Sequence, residues 1–156
     1  MAQTANTVEA ERVSESLRLD NQLCYALYAA AHRMTKSYRP LLERLGLTYP
    51  QYLVLLVLWE QDRVTVSEIG RRLRLDSGTL TPVLKRLEGA GFLVRTRRQS
   101  DEREVEIALT PRGTDLRSEA AAVRETVMCQ LELSEPEIRA MRRDLGRLID
   151  RLSADD

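Results

Sequence analysis

Cys24 and a set of tyrosines have the residue types and spacing that redox chemistry requires. Cys24 lies in the stretch LDNQLCYALYAAAHRMTKSY (19–38), whose apolar spacing predicts an amphipathic helix. Tyr28 and Tyr38 follow it at helical spacing, which puts all three on one face. A helix N-terminus favours the thiolate, the nucleophile that attacks peroxides, and phenol hydroxyls can donate hydrogen bonds to it. This pattern predicts a peroxide-reactive thiol.

The alternative is that the cysteines are ordinary packing residues. A free cysteine is most often a small buried hydrophobe. Cys129 lies beside Met128 on a partly apolar helix face, where a cysteine can be an ordinary packing residue without a functional role. The single histidine, His32, has no cysteine or acidic partners at ligand spacing, so we expect no metal site. We also expect no cofactor and no catalytic residue of an enzyme.

Length and composition indicate one mainly helical protein. The chain has 156 residues, 43% apolar and 31% charged, which suits a single domain with a hydrophobic core. The longest apolar run, YLVLLVLW (52–59), is too short to span a bilayer, and no apolar signal region precedes it. We therefore expect a cytoplasmic protein with no membrane partner, and a flexible polar tail over 1–18.

Capping signals predict the helices that position these residues. The first helix runs from an Asp20 cap to about Leu45, bent or split at Pro40. A buried second helix follows a capping box of Thr48 and Gln51. A capping box of Thr65 and Glu68 begins a third helix. A fourth helix runs from Ser77 to a stop at Gly91. The last helix starts at a capping box of Ser134 and Glu137.

The middle of the chain has the pattern of a winged helix-turn-helix. Two alternating stretches, FLVRT and EVEIALT, flank a polar loop and predict a β-hairpin directly after the fourth helix. TPRG then opens with a turn and continues as a helix carrying Cys129. The predicted fold is mainly α (α+β), with one domain over 19–153 and its winged helix over about 48–112.

Positive charge is concentrated on this winged helix. Eight basic and two acidic residues between 71 and 98 leave an excess of six charges, which indicates DNA binding rather than a solvated face. Recognition helices place their N-terminal residues at base edges, and wing arginines can enter the minor groove. The predicted DNA-binding residues are Ser77, Thr79, Thr81, Lys85, Arg86, Arg95, Arg97, Arg98 and Arg103.

A dimer is expected for two reasons. One winged helix reads few base pairs, so paired copies gain affinity from a palindromic operator. The terminal helices, over about 19–45 and 113–153, carry more apolar surface than the winged helix can cover. We expect them to form the interface of a homodimer.

The stretch LDSGTLTPVLKRLEGAGFLVRTRRQSDEREVEIALTPRG resembles the winged helix of MarR-family repressors. LCYALYAAAHRMTKSYRPLLERLGLTYPQYLVLLVLWE is more similar to one branch, the organic-hydroperoxide-sensing repressors (OhrR). This resemblance implies a dimeric repressor that leaves a palindromic operator when an organic hydroperoxide oxidises its reactive cysteine. That cysteine corresponds to Cys24.

The resemblance also implies the partners of Cys24. The tyrosines that contact its sulfur correspond to Tyr38 and to Tyr49 of the partner subunit, and Tyr28 lies at a further matching position. Cys129 matches the resolving cysteine, which forms an intersubunit disulfide that a thiol reductant later reduces. Two alternatives remain: a MarR-type repressor released by non-covalent binding of a small aromatic ligand, and a thiol peroxidase, which would need no basic wing.

Overall fold

The computed structural model describes residues 15–97 and 104–153. These ranges contain a short 3-10 turn at Leu19–Asn21 followed by helices and strands in the order of a winged helix-turn-helix. Two compact units divide the chain, Met1–Tyr52 and Leu53–Asp156. The elements are α1 Leu23–Arg44, α2 Tyr49–Glu60, β1 Val64–Thr65, α3 Val66–Leu73, α4 Ser77–Gly89, β2 Leu93–Arg97, β3 Val105–Leu109, α5 Pro111–Gln130 and α6 Glu135–Leu152.

Helix α1 begins later than the sequence predicted. Asp20 lies inside the 3-10 turn, which closes with a hydrogen bond from the Gln22 N–H to the Leu19 carbonyl (3.0 Å). The N-cap is therefore Gln22, whose extended backbone precedes the first helical residue. Cys24 becomes the second residue of α1 instead of lying a full turn inside it, so it is closer to the free N–H groups of the helix start.

Helix α1 is continuous through Pro40, so of the predicted bend or split the split does not occur. Proline removes only one backbone donor, and buried Leu42 anchors the next turn. The helix ends as predicted at Gly46, whose positive φ (71°) allows a Schellman motif. In this motif the Leu47 N–H donates to the Leu42 carbonyl (3.0 Å).

The predicted boundary of α2 is also confirmed. The Gln51 side-chain oxygen accepts hydrogen bonds from the backbone N–H of Thr48 (2.7 Å) and from its hydroxyl (3.1 Å). Beyond Tyr52 the helix enters the second unit, where it is buried as its unbroken apolar sequence predicted. The buried residues of this part are Val54, Leu55, Val57 and Leu58.

Helices α3 and α4 form the helix-turn-helix. Thr65 caps α3 by accepting from the Glu68 N–H (3.1 Å), but the Glu68 carboxylate pairs with Arg71 instead of completing the box. Asp76 caps α4. The fully buried side chains shared by this pair are leucines and one isoleucine at helical spacing: Ile69, Leu80, Leu84 and Leu87.

The hairpin strands β2 and β3 pair antiparallel, from Leu93 opposite Leu109 to Arg97 opposite Val105. A third strand, β1, joins the other edge of β3, with Val64 opposite Ile107. Sequence reasoning missed β1 because two residues are too few for a period-two pattern. This strand ties the start of α3 to the base of the wing.

Helix α5 starts at Pro111, so TPRG forms its first turn and is not a separate turn. Thr110 caps it by accepting from the Gly113 N–H (3.1 Å), and the Trp59 indole donates to the Gly113 carbonyl (2.8 Å). The capping box of Ser134 and Glu137 at the start of α6 is confirmed. Among the described residues, no single helix has the length and apolarity to cross a membrane; α1 and α2 pass such a test only as a bent pair.

Candidate redox and nucleic-acid-binding sites

The Cys24 thiol is exposed at the N-terminal end of α1. It does not fill the core of this chain, contrary to the packing alternative. As the second helical residue it lies beside N–H groups that have no intrahelical acceptor, where the helix dipole favours negative charge. Cys129 is also exposed, one residue before the end of α5.

Tyr28 lies one helical turn after Cys24 on the same side of α1. Its side chain is 69% exposed, and its ring stacks on His32 with centroids 6.1 Å apart. Leu23 and Tyr25 beside the thiol are exposed as well. The thiol therefore lies on an open apolar surface, which an apolar oxidant can approach.

Tyr38 cannot reach Cys24 within one chain. Fourteen residues of continuous helix separate the two, which places them about 21 Å apart along the axis at 1.5 Å per residue. The expectation that Tyr38 of the same chain contacts the sulfur is therefore wrong. Any such contact requires Tyr38 of the partner subunit, as the resemblance already implied for Tyr49.

Tyr38 and Tyr49 instead belong to a compact tyrosine cluster. The ring centroid of Tyr38 lies 5.2 Å from that of Tyr49 and 5.7 Å from that of Tyr52, in tilted geometries that suit aromatic pairs. Burial raises the pKa of the Tyr49 phenol, so its hydroxyl stays protonated and can donate a hydrogen bond. Sequence reasoning placed Tyr52 in the core and missed its membership of this cluster.

The described residues contain no group of three or more His, Cys, Asp or Glu side chains that could hold a metal ion.

The start of α4 presents its hydroxyls differently from expectation. The Asp76 carboxylate accepts hydrogen bonds from the hydroxyl and the N–H of Thr79 (2.7 and 2.9 Å), which hold the pKa of Asp76 below its usual range. The Thr81 hydroxyl donates to the Ser77 carbonyl (2.6 Å). Both threonine hydroxyls thus donate within the helix and offer only acceptor lone pairs outward.

The net positive charge around residues 71–98 is smaller than the count of charged residues in the sequence indicated. Four of its arginines pair with acids, three of which come from outside the counted window. These pairs are Arg71 with Glu68, Arg72 with Glu60, Arg74 with Asp150 and Arg95 with Glu88.

Three of the predicted DNA-binding cations remain exposed and make no ion pair within the described ranges: Lys85, Arg86 and Arg97. Arg95 differs from them, because its side chain is only 24% exposed and its buried Nε has no hydrogen-bond partner. Arg98 and Arg103 lie outside the described residues.

The model of the MarR family matches residues 47–105, which contain the helix-turn-helix and the first hairpin strand. Over 142 residues the chain is 44% identical to the organic hydroperoxide resistance transcriptional regulator of Bacillus subtilis (strain 168), covering 91% of this chain and 97% of that protein. The chain belongs to the MarR family.

Another transcriptional regulator and two solved structures are also similar to this MarR-family chain. It is 51% identical to the HTH-type transcriptional regulator TtmR of Methylorubrum extorquens (strain PA1), covering 87% of this chain and 70% of that protein. Reduced AbfR bound to DNA has the same fold, with a TM-score of 0.73, 40% identity and coverage of 89% and 97%. Disulfide-formed AbfR matches with a TM-score of 0.64, 37% identity and coverage of 90% and 98%.

These comparisons confirm the MarR resemblance and the winged-helix fold. An organic hydroperoxide resistance regulator is among the relatives of the chain. The MarR-family chain is a transcriptional regulator and not an enzyme, which removes the thiol peroxidase alternative.

Proposed function

We propose that this MarR-family regulator is a dimeric repressor that releases its operator when an organic hydroperoxide oxidises Cys24. The observation that carries the proposal is the exposed thiol at the second position of α1, surrounded by apolar side chains. A thiolate is the nucleophile that peroxides oxidise, and it requires exposure to react. The similarity to an organic hydroperoxide resistance regulator supports the same class of oxidant.

The oxidation needs no group beyond the two cysteines and the peroxide. The Cys24 thiolate attacks one peroxide oxygen, the O–O bond breaks, and the products are a sulfenic acid and an alkoxide that takes a proton to become an alcohol. The Cys129 thiol of the partner subunit then displaces the sulfenic oxygen as water and forms a disulfide. Two thiols of an external reductant restore both cysteines.

The disulfide is the step that changes DNA affinity. Its formation requires Cα atoms within about 7 Å, so helices that start farther apart have to move. Such motion would take the two winged helices out of register with successive major grooves. A hundredfold loss of affinity needs only about 2.7 kcal/mol of differential stabilisation. AbfR has been described both in DNA-bound reduced form and in a disulfide form.

Exposed apolar side chains support the dimer. In the first unit they lie around the start of α1, and in the second unit all but Val94 form one face of α6, a helix that buries none of its residues. A surface of this kind is normally covered by a partner, and in the proposed dimer this cover leaves the Cys24 sulfur open to peroxide. The exposed large apolar residues are Leu17, Leu19, Leu23, Tyr25 and Tyr28 in the first unit, and Met141, Leu145, Ile149 and Leu152 on α6.

In the proposed complex, α4 enters the major groove of a palindromic operator in the cytoplasm. Ser77, Thr79 and Thr81 lie at its N-terminal end, where recognition helices meet base edges. Lys85, Arg86 and Arg97 supply phosphate contacts. For Arg95 we propose a role in holding the wing to α4 through Glu88, because its side chain is largely enclosed.

Neutralising one exposed cation should reduce the salt dependence of DNA binding. For Lys85→Gln we expect weaker binding on all sequences and a decrease of about 1 in the slope of log affinity against log salt concentration, since one phosphate contact is lost. Titrations at four salt concentrations measure this slope. Arg124→Gln, at an exposed position of α5, is the matched control and should leave the slope unchanged. Equal slopes for wild type and Lys85→Gln would remove Lys85 from the interface.

The proposed function is tested by a gel shift with and without cumene hydroperoxide. The probe is a duplex selected from a random-sequence pool by the reduced protein. Peroxide should release the wild-type protein, and dithiothreitol should restore binding. Unchanged binding after complete oxidation of the cysteines would refute the proposal.

Replacing the second cysteine separates oxidation from disulfide formation. In Cys129→Ser, Cys24 should still be oxidised, but the covalent dimer should disappear from a non-reducing gel and DNA release should weaken. Mass spectrometry should also find more sulfinic and sulfonic acid, because no thiol traps the sulfenic acid. A peroxide-induced covalent dimer in this variant would contradict the proposed pairing.

A further inference from the structure

One side of α4 is exposed along its first two turns, away from the buried leucines of this helix. Thr79 and Pro82 lie on this side, and both are exposed, whereas Thr81 is half-buried and lines a cavity together with Arg95. Thr79 and Pro82 are three residues apart in a continuous helix, so their Cβ atoms are about 5–6 Å apart. Successive base pairs are about 3.4 Å apart, so the two side chains can reach the same or neighbouring base pairs.

The polar atoms on this side of α4 are hydrogen-bond acceptors. The Thr79 hydroxyl and N–H both donate to the Asp76 carboxylate (2.7 and 2.9 Å), so the hydroxyl offers only lone pairs outward. Proline has no N–H, so the Gly78 carbonyl receives no hydrogen bond from the residue four positions later, Pro82. These oxygens complement hydrogen-bond donors on a partner.

The Pro82 ring is the apolar element of the same side. It lies beyond the first turn of α4, where proline lowers the stability of a helix. Because the ring is exposed, packing in the core does not account for it. In the major groove of DNA, the apolar group is the C5-methyl of thymine, and the donors are the amino groups of adenine and cytosine.

We propose that Thr79 and Pro82 read the operator directly. Thr79 accepts a hydrogen bond from an amino group of adenine or cytosine, and Pro82 packs on a thymine methyl of the same or a neighbouring base pair. Guanine and thymine are disfavoured opposite Thr79, because their major-groove oxygens are acceptors. This assignment rests on the proposed function, because it takes α4 as the helix that enters the major groove.

Deoxyuridine tests the contact of Pro82, because it differs from thymidine only in lacking the C5-methyl. The reduced full-length protein is titrated with its selected duplex, in which each thymine of one half-site is replaced in turn. At one position wild type should lose about fourfold in affinity, since a methyl contact is lost. Pro82→Ala should bind the unmodified duplex about fourfold more weakly and lose nothing further at that position. Alanine favours a helix over proline, so this variant keeps α4.

The contact of Thr79 is tested by replacing adenine with purine and cytosine with 2-pyrimidinone, which lack only the amino group. At or beside the thymine identified with Pro82, wild type and Thr79→Ser should lose about fivefold in affinity. Thr79→Val has no acceptor and should be insensitive there. All variants meet the same altered duplex, so its weaker base pairing cancels in the comparison.

The control is Thr126→Val, which makes the same change at an exposed threonine of α5 whose hydroxyl also donates within its own helix (2.9 Å). It should respond to both kinds of altered duplex as wild type does. Equal losses for wild type and Pro82→Ala at every uracil, or a loss in Thr79→Val equal to that of wild type, would overturn the inference and leave the redox-controlled repressor intact. If the reduced protein selects no duplex from the pool, the proposed function fails, and this inference fails with it.

Discussion

Replacing Cys24 with serine should abolish the response to peroxide and leave DNA binding intact. Serine is nearly isosteric with cysteine but forms no sulfenic acid, so no disulfide can follow. We expect cumene hydroperoxide to weaken operator binding of wild type about a hundredfold, a change of about 2.7 kcal/mol, and to leave Cys24→Ser unchanged. Titrations of the selected duplex with reduced and oxidised protein measure both affinities.

Cys129→Ser is the matched control for this experiment, because it makes the same change at the other exposed cysteine. It should retain oxidation of Cys24, whereas Cys24→Ser should show no peroxide-dependent modification that affects DNA binding. Release of Cys24→Ser by peroxide would show that another group senses the oxidant. Release of Cys24→Ser by a small aromatic compound would support the non-covalent alternative.

Gly113→Ala should destabilise the fold by about 3 kcal/mol, within the range of severe steric mutations. A Cβ atom at Gly113 would collide with the Phe92 carbonyl oxygen and would lie 3.1 Å from a methyl group of Leu109. The neighbouring atom is backbone, held by the hydrogen bond that the Phe92 carbonyl accepts from Thr110 (3.1 Å), so it cannot move alone. The bond from Trp59 to the Gly113 carbonyl would be strained as well.

The control for Gly113→Ala is Gly89→Ala at the end of α4, where no atom lies within 4 Å of an added Cβ. This change should be neutral or slightly stabilising, because alanine favours a helix over glycine. Urea unfolding monitored by circular dichroism measures both variants. Equal midpoints for Gly113→Ala and wild type would show that α5 can shift away from Phe92 without loss of stability.

The parts of the fold that follow local rules were predictable. The caps at Thr65 and Ser134 and the stop at Gly46 each depend on a few neighbouring residues, and each is confirmed. The start of α1 was misplaced because Asp20 has the side chain of a good cap but lies inside a 3-10 turn. Strand β1 was missed because it exists through pairing with β3, a contact distant in sequence.

In the candidate sites too, features set by local spacing were predictable, and features set by residues distant in sequence were not. The face shared by Cys24 and Tyr28 follows from helical spacing, but the same spacing wrongly joined Tyr38 to them, because periodicity ignores the rise along the axis. The local charge count could not include the acids that approach from elsewhere, such as Asp150 beside Arg74.

The central claim is that the redox state of the Cys24 sulfur controls DNA binding, and one paired measurement tests it most directly. Wild-type protein on the selected duplex is titrated with cumene hydroperoxide. The bound fraction and the fraction of Cys24 remaining as thiol are then measured in the same samples. The account predicts that DNA is released in proportion to the loss of this thiol and rebinds when dithiothreitol restores it. Release while Cys24 is still a free thiol, or retention after it is fully joined to Cys129, would contradict the account.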